Sequence, residues 1–478
     1  MNFDLDAKTR RALGHKLIDT LDSYFASLPE RAVQLPVEQR SLPPLTEAMP
    51  ELGADAQVVF EDVCRELIEH GFHVPAANYF GLMNPAPTYM AVLAEALVAA
   101  LNPQLASVVR SPLASSIEAQ TVRWIGERVG WERPFNGTFT SGGNEANFSG
   151  LAMALAAGFP GVMEEGIAAL GVRPVFYASA EAHHSLDKSA GLLGIGRQAL
   201  RRVAVNPALQ ADPDALESAI REDIAGGRQP FAIVATAGTT SSGAIDDLPA
   251  LAELARRYDL WLHVDGSYGA AAIFSDRHRY LVQGIEGADS ITIDPHKWLA
   301  MPFAAGVVLT SHPEMLEQTF DVATPYMPPS ASMTHTDYFR ISAQWSRRMN
   351  SLKLWLTLRV HGRLAYEELI ERQLQLARAF ADWVEQSEYF ELAAPQVLPV
   401  VNFRLKHAGR TPEETAATHA ALLEAVTASG RHWISRTRIA GQSVIRMMVI
   451  SYLSEERHLH SLEDTLLAAV QSLARTAK

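Results

Sequence analysis

Between about residues 85 and 310 short apolar runs alternate with helix-patterned stretches, and this alternation limits the possible folds more than any other feature of the chain. The runs PVFYAS (174–179), FAIVATAG (231–238), LWLHVDG (260–266) and DSITID (289–294) each close on Gly, Ser or Asp, as strands bounded by turn residues do. Strands that alternate with helices are joined by crossovers, so they lie parallel in a sheet covered on both faces. FAAGVVLTS (303–311) predicts one more strand, reached by a tight return. In open parallel sheets ligands bind outside the carboxyl ends of the strands, which makes the residues after each run the candidate site.

The flanks have another texture. Residues 1–85 read as a helical arm broken by LPERAVQLP and LPPLTEAMP, with little core of its own. After the helical LKLWLTLRVHG come VLPVVNFRL, a helix over EETAATHAALLEAV, the runs HWISRTRI and VIRMMVISYL, and a last helix near 460–475. The organisation predicted is a helical arm (1–85), a large α/β unit (86–370) and a smaller α+β unit (371–478).

A formal net charge of −13 offers no domain-scale excess of Lys and Arg, so no nucleic-acid partner is expected. The most apolar window, AVLAEALVAAL, carries Glu95 and falls short of the ~20 residues of a membrane span. The opening MNFDLDAKTRRALGHKL interleaves charges with apolar residues and predicts no signal peptide. A lone cysteine, Cys64, suits a reducing compartment. A cytoplasmic protein with no membrane partner is expected.

Four loops carry the unusual residues. In TFTSGGNEANFSG (138–150) the glycines 142 and 143 stand where a strand passes into a helix, so free N–H groups and the positive end of the helix can face an anion; a plain turn capped by Asn144 is the alternative. SAEAHHSLDK (179–188) offers His183 or His184 for stacking on a cofactor. No metal is expected, because no Cys or clustered carboxylate completes a ligand set. LWLHVDGSYGAA places Asp265 directly after an apolar strand, a costly position unless a cation or donors meet it. ITIDPHKWLA places Lys297 32 residues further on, about one strand–helix–strand unit, so both emerge at the same sheet edge. An amine, an acid and an anion cradle are together what pyridoxal 5′-phosphate needs.

In their order TSGGNEAN, EAHHS, ATAGTTSSGAIDDL, WLHVDGSYGA, DPHKWL and SRRMNSLKLW resemble the group II pyridoxal-phosphate decarboxylases, the family of aromatic-L-amino-acid (DOPA), tyrosine, glutamate and diaminobutyrate decarboxylases, over about residues 60–450. The resemblance implies a fold-type I enzyme: a mostly parallel seven-stranded sheet flanked by helices, acting as a homodimer with its sites at the subunit interface. It implies Lys297 as the Schiff-base lysine, Asp265 on the ring nitrogen and His183 against the ring face. It further implies Gly143 and Asn144 on the phosphate, Thr240 near the phosphate or cofactor oxygens, and His296 and Asp294 beside the lysine, Asp294 standing where some members have Asn. Tyr326, in the Pro- and Ser-rich PYMPPSASMTHTD, matches a loop tyrosine that covers the partner subunit's site and returns a proton to Cα.

The resemblance implies a small-molecule substrate, an L-amino acid, decarboxylated to its amine and CO2. The stretch ANYFGLMNPAPTYM matches the family's side-chain pocket, and Tyr79, Phe80 and Met83, beside Asn84, favour an aromatic guest. Arg347 and Arg348 could instead bind an acidic side chain, which keeps glutamate- or diaminobutyrate-type activity open. Arg446 is expected to be a salt-bridged structural residue. The rivals are an aromatic aldehyde synthase on the same scaffold, a nicotinamide oxidoreductase through GIGRQA (194–199) and a non-catalytic relative that only binds.

Overall fold

The computed structural model describes residues 4–40, 45–322, 324, 336–406 and 411–476. Seven strands form the large sheet: β1 (Asn136–Thr140), β2 (Arg173–Ser179), β3 (Leu200–Val203), β4 (Arg228–Thr236), β5 (Trp261–Asp265), β6 (Ser290–Ile293) and β7 (Gly306–Thr310). Their order is β1-β7-β6-β5-β4-β2-β3. Strands β3, β2, β4, β5 and β6 run parallel, and β7 runs antiparallel to both β1 and β6. The carboxyl ends of β1, β2, β4, β5 and β6 therefore share one edge, where β7 begins.

The helices are α1 (Ala7–Ser27), α2 (Ala56–Glu69), α3 (Tyr89–Leu101), α4 (Pro112–Val129), α5 (Gly143–Gly158), α6 (Val162–Glu165), α7 (Ser185–Leu192), α8 (Pro213–Ala225), α9 (Leu248–Tyr258), α10 (Pro313–Phe320), α11 (Ser351–Gln386), α12 (Pro412–Thr427) and α13 (Glu456–Thr476). Side chains alternate between the faces of a strand, and the two faces of the sheet feed two separate apolar layers. Tyr177, Ile233, Leu262, Val264, Ile291 and Ile293 pack with α4, α8, α9 and α11. Phe176, Val234, Trp261 and Val308 pack with α5, α7 and α10. Helix α9 shows why its sequence makes such a layer: Asp247 caps it through Ala250 N–H at 3.1 Å, Pro249 occupies its first turn, and Leu248, Leu251, Leu254 and Ala255 form one buried stripe.

A second sheet is wholly antiparallel, in the order β10 (Ser435–Ile439), β11 (Gln442–Met448), β9 (Val400–Leu405), β8 (Phe390–Leu392). The β10–β11 hairpin turns through Ala440 (φ 48°) and Gly441 (φ 78°), the pair of positive φ values that matches the twist of the flanking strands. Helix α11 runs past the large sheet to the small one, bending at Gly362 (φ 76°). The boundary expected at 370/371 falls within this helix.

Candidate active site

Lys297 enters from the turn after β6. The Asp294 N–H donates to the Ser267 carbonyl (3.1 Å) and the Lys297 N–H to the Asp294 carbonyl (2.9 Å), which ties this turn to the loop after β5. Trp298 anchors the turn from the buried side: its indole donates to Gln373 Oε1 at 2.6 Å and stacks on Tyr268 at 5.1 Å. Lys297 Nζ then lies 3.0 Å from Asp294 Oδ2.

Asp265 is buried at the end of β5. Its Oδ1 accepts from Ser267 N–H (3.2 Å) and Ser267 Oγ (2.6 Å), and its Oδ2 from Asn147 Nδ2 (2.8 Å). Burial pushes its pKa up, but the Lys297 charge, the hydrogen bonds from Ser267 and Asn147 and the nearness of His183 outweigh it and hold the carboxyl below its usual range. Burial lowers the pKa of His183, with Asp265 opposing. His183 Nδ1 accepts from Ser185 N–H at 3.1 Å, so the neutral ring carries its proton on Nε2. His184, the other candidate, points outward with 91% of its side chain exposed.

The glycine turn opens α5, whose first N–H groups have no intrahelical acceptor. Ser141 is turned away, donating through N–H and Oγ to Glu145 Oε2 at 2.8 and 2.7 Å. At Gly143 a Cβ would lie 2.5 Å from Ser267 Oγ and 2.6 Å from Asp294 Oδ2, so only glycine keeps this cradle open. Gly143, Asn144, His183, Thr240, Asp265, Asp294 and Lys297 all line one cavity. Thr236 Oγ1, Tyr268 OH and Asp294 Oδ1 are buried on its wall without a hydrogen-bond partner among the described residues. An anion cradle, an amine, an ionised acid and unpaired polar atoms around one hollow fit an anionic aromatic cofactor.

Other candidates stand elsewhere. His296 is held outside the cavity wall, with Nδ1 accepting from Ala305 N–H (3.1 Å), Nε2 3.6 Å from Asp294 and the ring against Phe303 at 4.5 Å. Of the residues expected to form the substrate pocket, Met83 lines the cavity. Tyr79 stacks on Trp433 (5.5 Å), Phe80 is buried in the layer beneath the small sheet, and Asn84 is half-buried. Tyr326 lies outside the described residues.

Arg347 is buried on Glu118 (2.6 Å), and Arg348 pairs with Glu95. The salt bridge expected for Arg446 is absent among the described residues; its guanidinium donates to Ser435 Oγ (3.0 Å) and to the Thr240 carbonyl, because burial between the sheets brings it hydroxyl and carbonyl oxygens. GIGRQA follows α7 rather than a strand, so it lacks the strand–turn–helix that a dinucleotide fingerprint requires.

Sequence reasoning missed Asn147, Ser185, Thr236, Ser267 and Tyr268 on the cavity wall. Asn147 had a signal: four residues after Gly143 in a helix, it shares that residue's face.

A mostly parallel sheet with an amine, a buried acid and an anion cradle at its carboxyl edge defines a pyridoxal phosphate enzyme as a class. The family model of the pyridoxal-dependent decarboxylase conserved domain matches residues 38–406. An aromatic-L-amino-acid decarboxylase of Bacillus atrophaeus is 30% identical over 459 residues, 94% of this chain and 93% of the relative. Crystal structures of Oryza sativa TDC with PLP and tryptamine (TM-score 0.91, 25% identity, 99% of this chain and 100% of the other) and of Rhodiola rosea 4-hydroxyphenylacetaldehyde synthase (TM-score 0.87, 25% identity, 98% and 97%) share the fold. The chain belongs to the pyridoxal-dependent decarboxylase family. It is an amino-acid decarboxylase with pyridoxal phosphate as its cofactor.

Proposed function

We propose that this enzyme decarboxylates an aromatic L-amino acid, with Lys297 as the lysine that holds the cofactor. The carrying observation is that the Lys297 amine and the Asp265 carboxylate line one cavity with Gly143 and Asn144. When bound, pyridoxal phosphate supplies the sink for the electron pair left at Cα as CO2 departs. Asp265, kept ionised by its donors, would accept a hydrogen bond from the ring nitrogen and so favour its protonated form. The N–H groups opening α5 at Gly143 and Asn144, with Thr240, would hold the phosphate. His183 would lie against the ring, Asp294 and His296 support the lysine turn, and Tyr326 would return the proton to Cα.

The aromatic substrate is supported by the names of the relatives and by the use of both candidate arginines. Arg347 pairs with Glu118 and Arg348 with Glu95, and neither lines the cavity where an acidic side chain would lie. Met83 gives the cavity an apolar wall.

A cytosolic homodimer with sites at the interface completes the proposal. Among the described residues no helix is long and apolar enough to cross a membrane. Helix α2 has no buried side chain and exposes Val59 (48%), Val63 (50%) and Leu67 (69%), four residues apart on one face that a second copy would cover. The arm (1–85) would then serve the dimer, and 86–370 and 371–478 would be the cofactor-binding and smaller units.

Borohydride reduction of the loaded enzyme followed by peptide mass analysis should find the adduct on Lys297; an adduct on another lysine overturns the assignment. CO2 and amine should form from tyrosine, DOPA, tryptophan or phenylalanine, and turnover restricted to glutamate or 2,4-diaminobutyrate refutes the substrate class. Ammonia and peroxide in place of amine would favour the aldehyde synthase reaction, which the Rhodiola rosea likeness keeps as second reading.

A further inference from the structure

Behind Asp265 runs a chain of hydrogen bonds whose direction is set at both ends. Strand alternation puts Trp261, His263 and Asp265 on the α5 face of β5, and Ser290 and Thr292 on the same face of β6; the register pairs His263 with Ser290 and Asp265 with Thr292. Trp261 Nε1 donates to Ser290 Oγ (2.8 Å), and Ser290 Oγ meets His263 Nδ1 (2.8 Å). His263 Nε2 meets Asn147 Oδ1 (3.1 Å) and Thr292 Oγ1 (3.3 Å), and Asn147 Nδ2 donates to Asp265 Oδ2 (2.8 Å) and to Ser185 Oγ (3.1 Å).

An indole nitrogen only donates and an ionised carboxylate only accepts. Asn147 must therefore turn its NH2 to Asp265 and its carbonyl to His263. The imidazole then carries its proton on Nε2, and its bare Nδ1 accepts from the Ser290 hydroxyl. Gly150 makes room for the ring, since a Cβ there would lie 2.4 Å from it.

We propose that Trp261, Ser290, His263 and Asn147 are positioning residues acting through Asp265, a one-way donor chain that leaves its carboxylate a single open acceptor aimed at the cofactor's ring nitrogen. The inference rests on the assignment of Asp265 proposed above. A carboxylate offers about four acceptor sites. Ser267 N–H, Ser267 O–H and Asn147 NH2 occupy three, which leaves one for a ring N–H. In a dry interior successive hydrogen bonds polarise one another, so a donor two or three links away still strengthens the last one.

Two measurements test this. Nitrogen-15 NMR of the His263 ring, in cofactor-stripped protein and in the holoenzyme, should show Nε2 protonated and Nδ1 bare; a proton on Nδ1, or a cationic ring at pH 7, overturns the chain. In holoenzyme rebuilt with nitrogen-labelled pyridoxal phosphate, Asn147→Leu should lower kcat on the order of 10–100-fold, Ser290→Ala about tenfold and Trp261→Phe about threefold, with KM within about twofold. The ring-nitrogen shift should move toward neutral pyridine in the same order, and Ser290→Thr, which keeps the hydroxyl, should stay near wild type. A lowered kcat with an unmoved ring-nitrogen shift would make these residues merely structural and sink the proposal. Failure to bind the cofactor at all would overturn the functional assignment instead, while the histidine tautomer would still decide the direction of the chain.

Discussion

Replacing Gly143 by alanine isolates the anion cradle from the rest of the site. The added Cβ would stand 2.5 Å from Ser267 Oγ and 2.6 Å from Asp294 Oδ2, well inside the 3.4 Å at which ordinary contact begins. Neither oxygen can retreat freely, because Ser267 Oγ is 2.6 Å from Asp265 Oδ1 and Asp294 Oδ2 is 3.0 Å from Lys297 Nζ. Relief breaks one charge-assisted hydrogen bond or pushes the α5 N-terminus away from where the proposed function seats the phosphate, a cost of about 1.5–3 kcal/mol. That corresponds to a roughly 10–150-fold weaker Kd for the cofactor. Titration of cofactor-stripped protein with pyridoxal phosphate, followed by its visible absorption, measures the change, and circular dichroism checks that the variant is folded. A folded Gly143→Ala protein with a Kd within about twofold of wild type would refute the cradle.

Two further outcomes follow from buried ionisable groups. Burial pulls His263 and His432 down to about 4. Unfolded, each takes up a proton near 6.5, so between pH 6.5 and 4 the unfolded chain binds more protons and acid lowers stability, by about 3 kcal/mol per histidine. Asp246, pushed up to about 6 by burial, acts oppositely over much of the same window. Denaturant midpoints from pH 7 to 4.5 should therefore fall on acidification, less steeply in His432→Gln and more steeply in Asp246→Asn; an unchanged slope in both would contradict these environments. Arg347→Ala should cost about 3–5 kcal/mol by stranding Glu118, whose side chain is fully buried, and the double variant Glu118→Leu/Arg347→Met should recover most of it in the same denaturation assay.

The frame of the site is legible in the sequence because it obeys local rules. Each run that ends on Gly, Ser or Asp is a strand end, and parallel connection brings those ends to one edge, so Lys297, Asp265, His183 and Gly143 could be gathered without a structure. The helical arm and the later antiparallel strands are legible for the same reason. What stayed hidden depends on tertiary contact. Tyr79 and Phe80 are aromatic residues in the right segment, but Trp433 and the small sheet draw them into packing. Arg446 looks like half of a salt bridge until the fold surrounds it with neutral oxygens. His263, Ser290 and Thr292 were passed over as ordinary strand residues, although polar groups alternating with Leu262, Val264, Ile291 and Ile293 in buried strands are a visible signal of wiring on one face.

That alternation makes one strand serve two masters. Leu262 and Val264 supply oil to one side of the sheet while His263 and Asp265 supply polarity to the other. Inserting or deleting a single residue within β5 would invert both at once, thrusting an acid into the greasy layer and leucine toward the ligand. A one-residue misalignment of this strand therefore costs the apolar layer and the chemistry together.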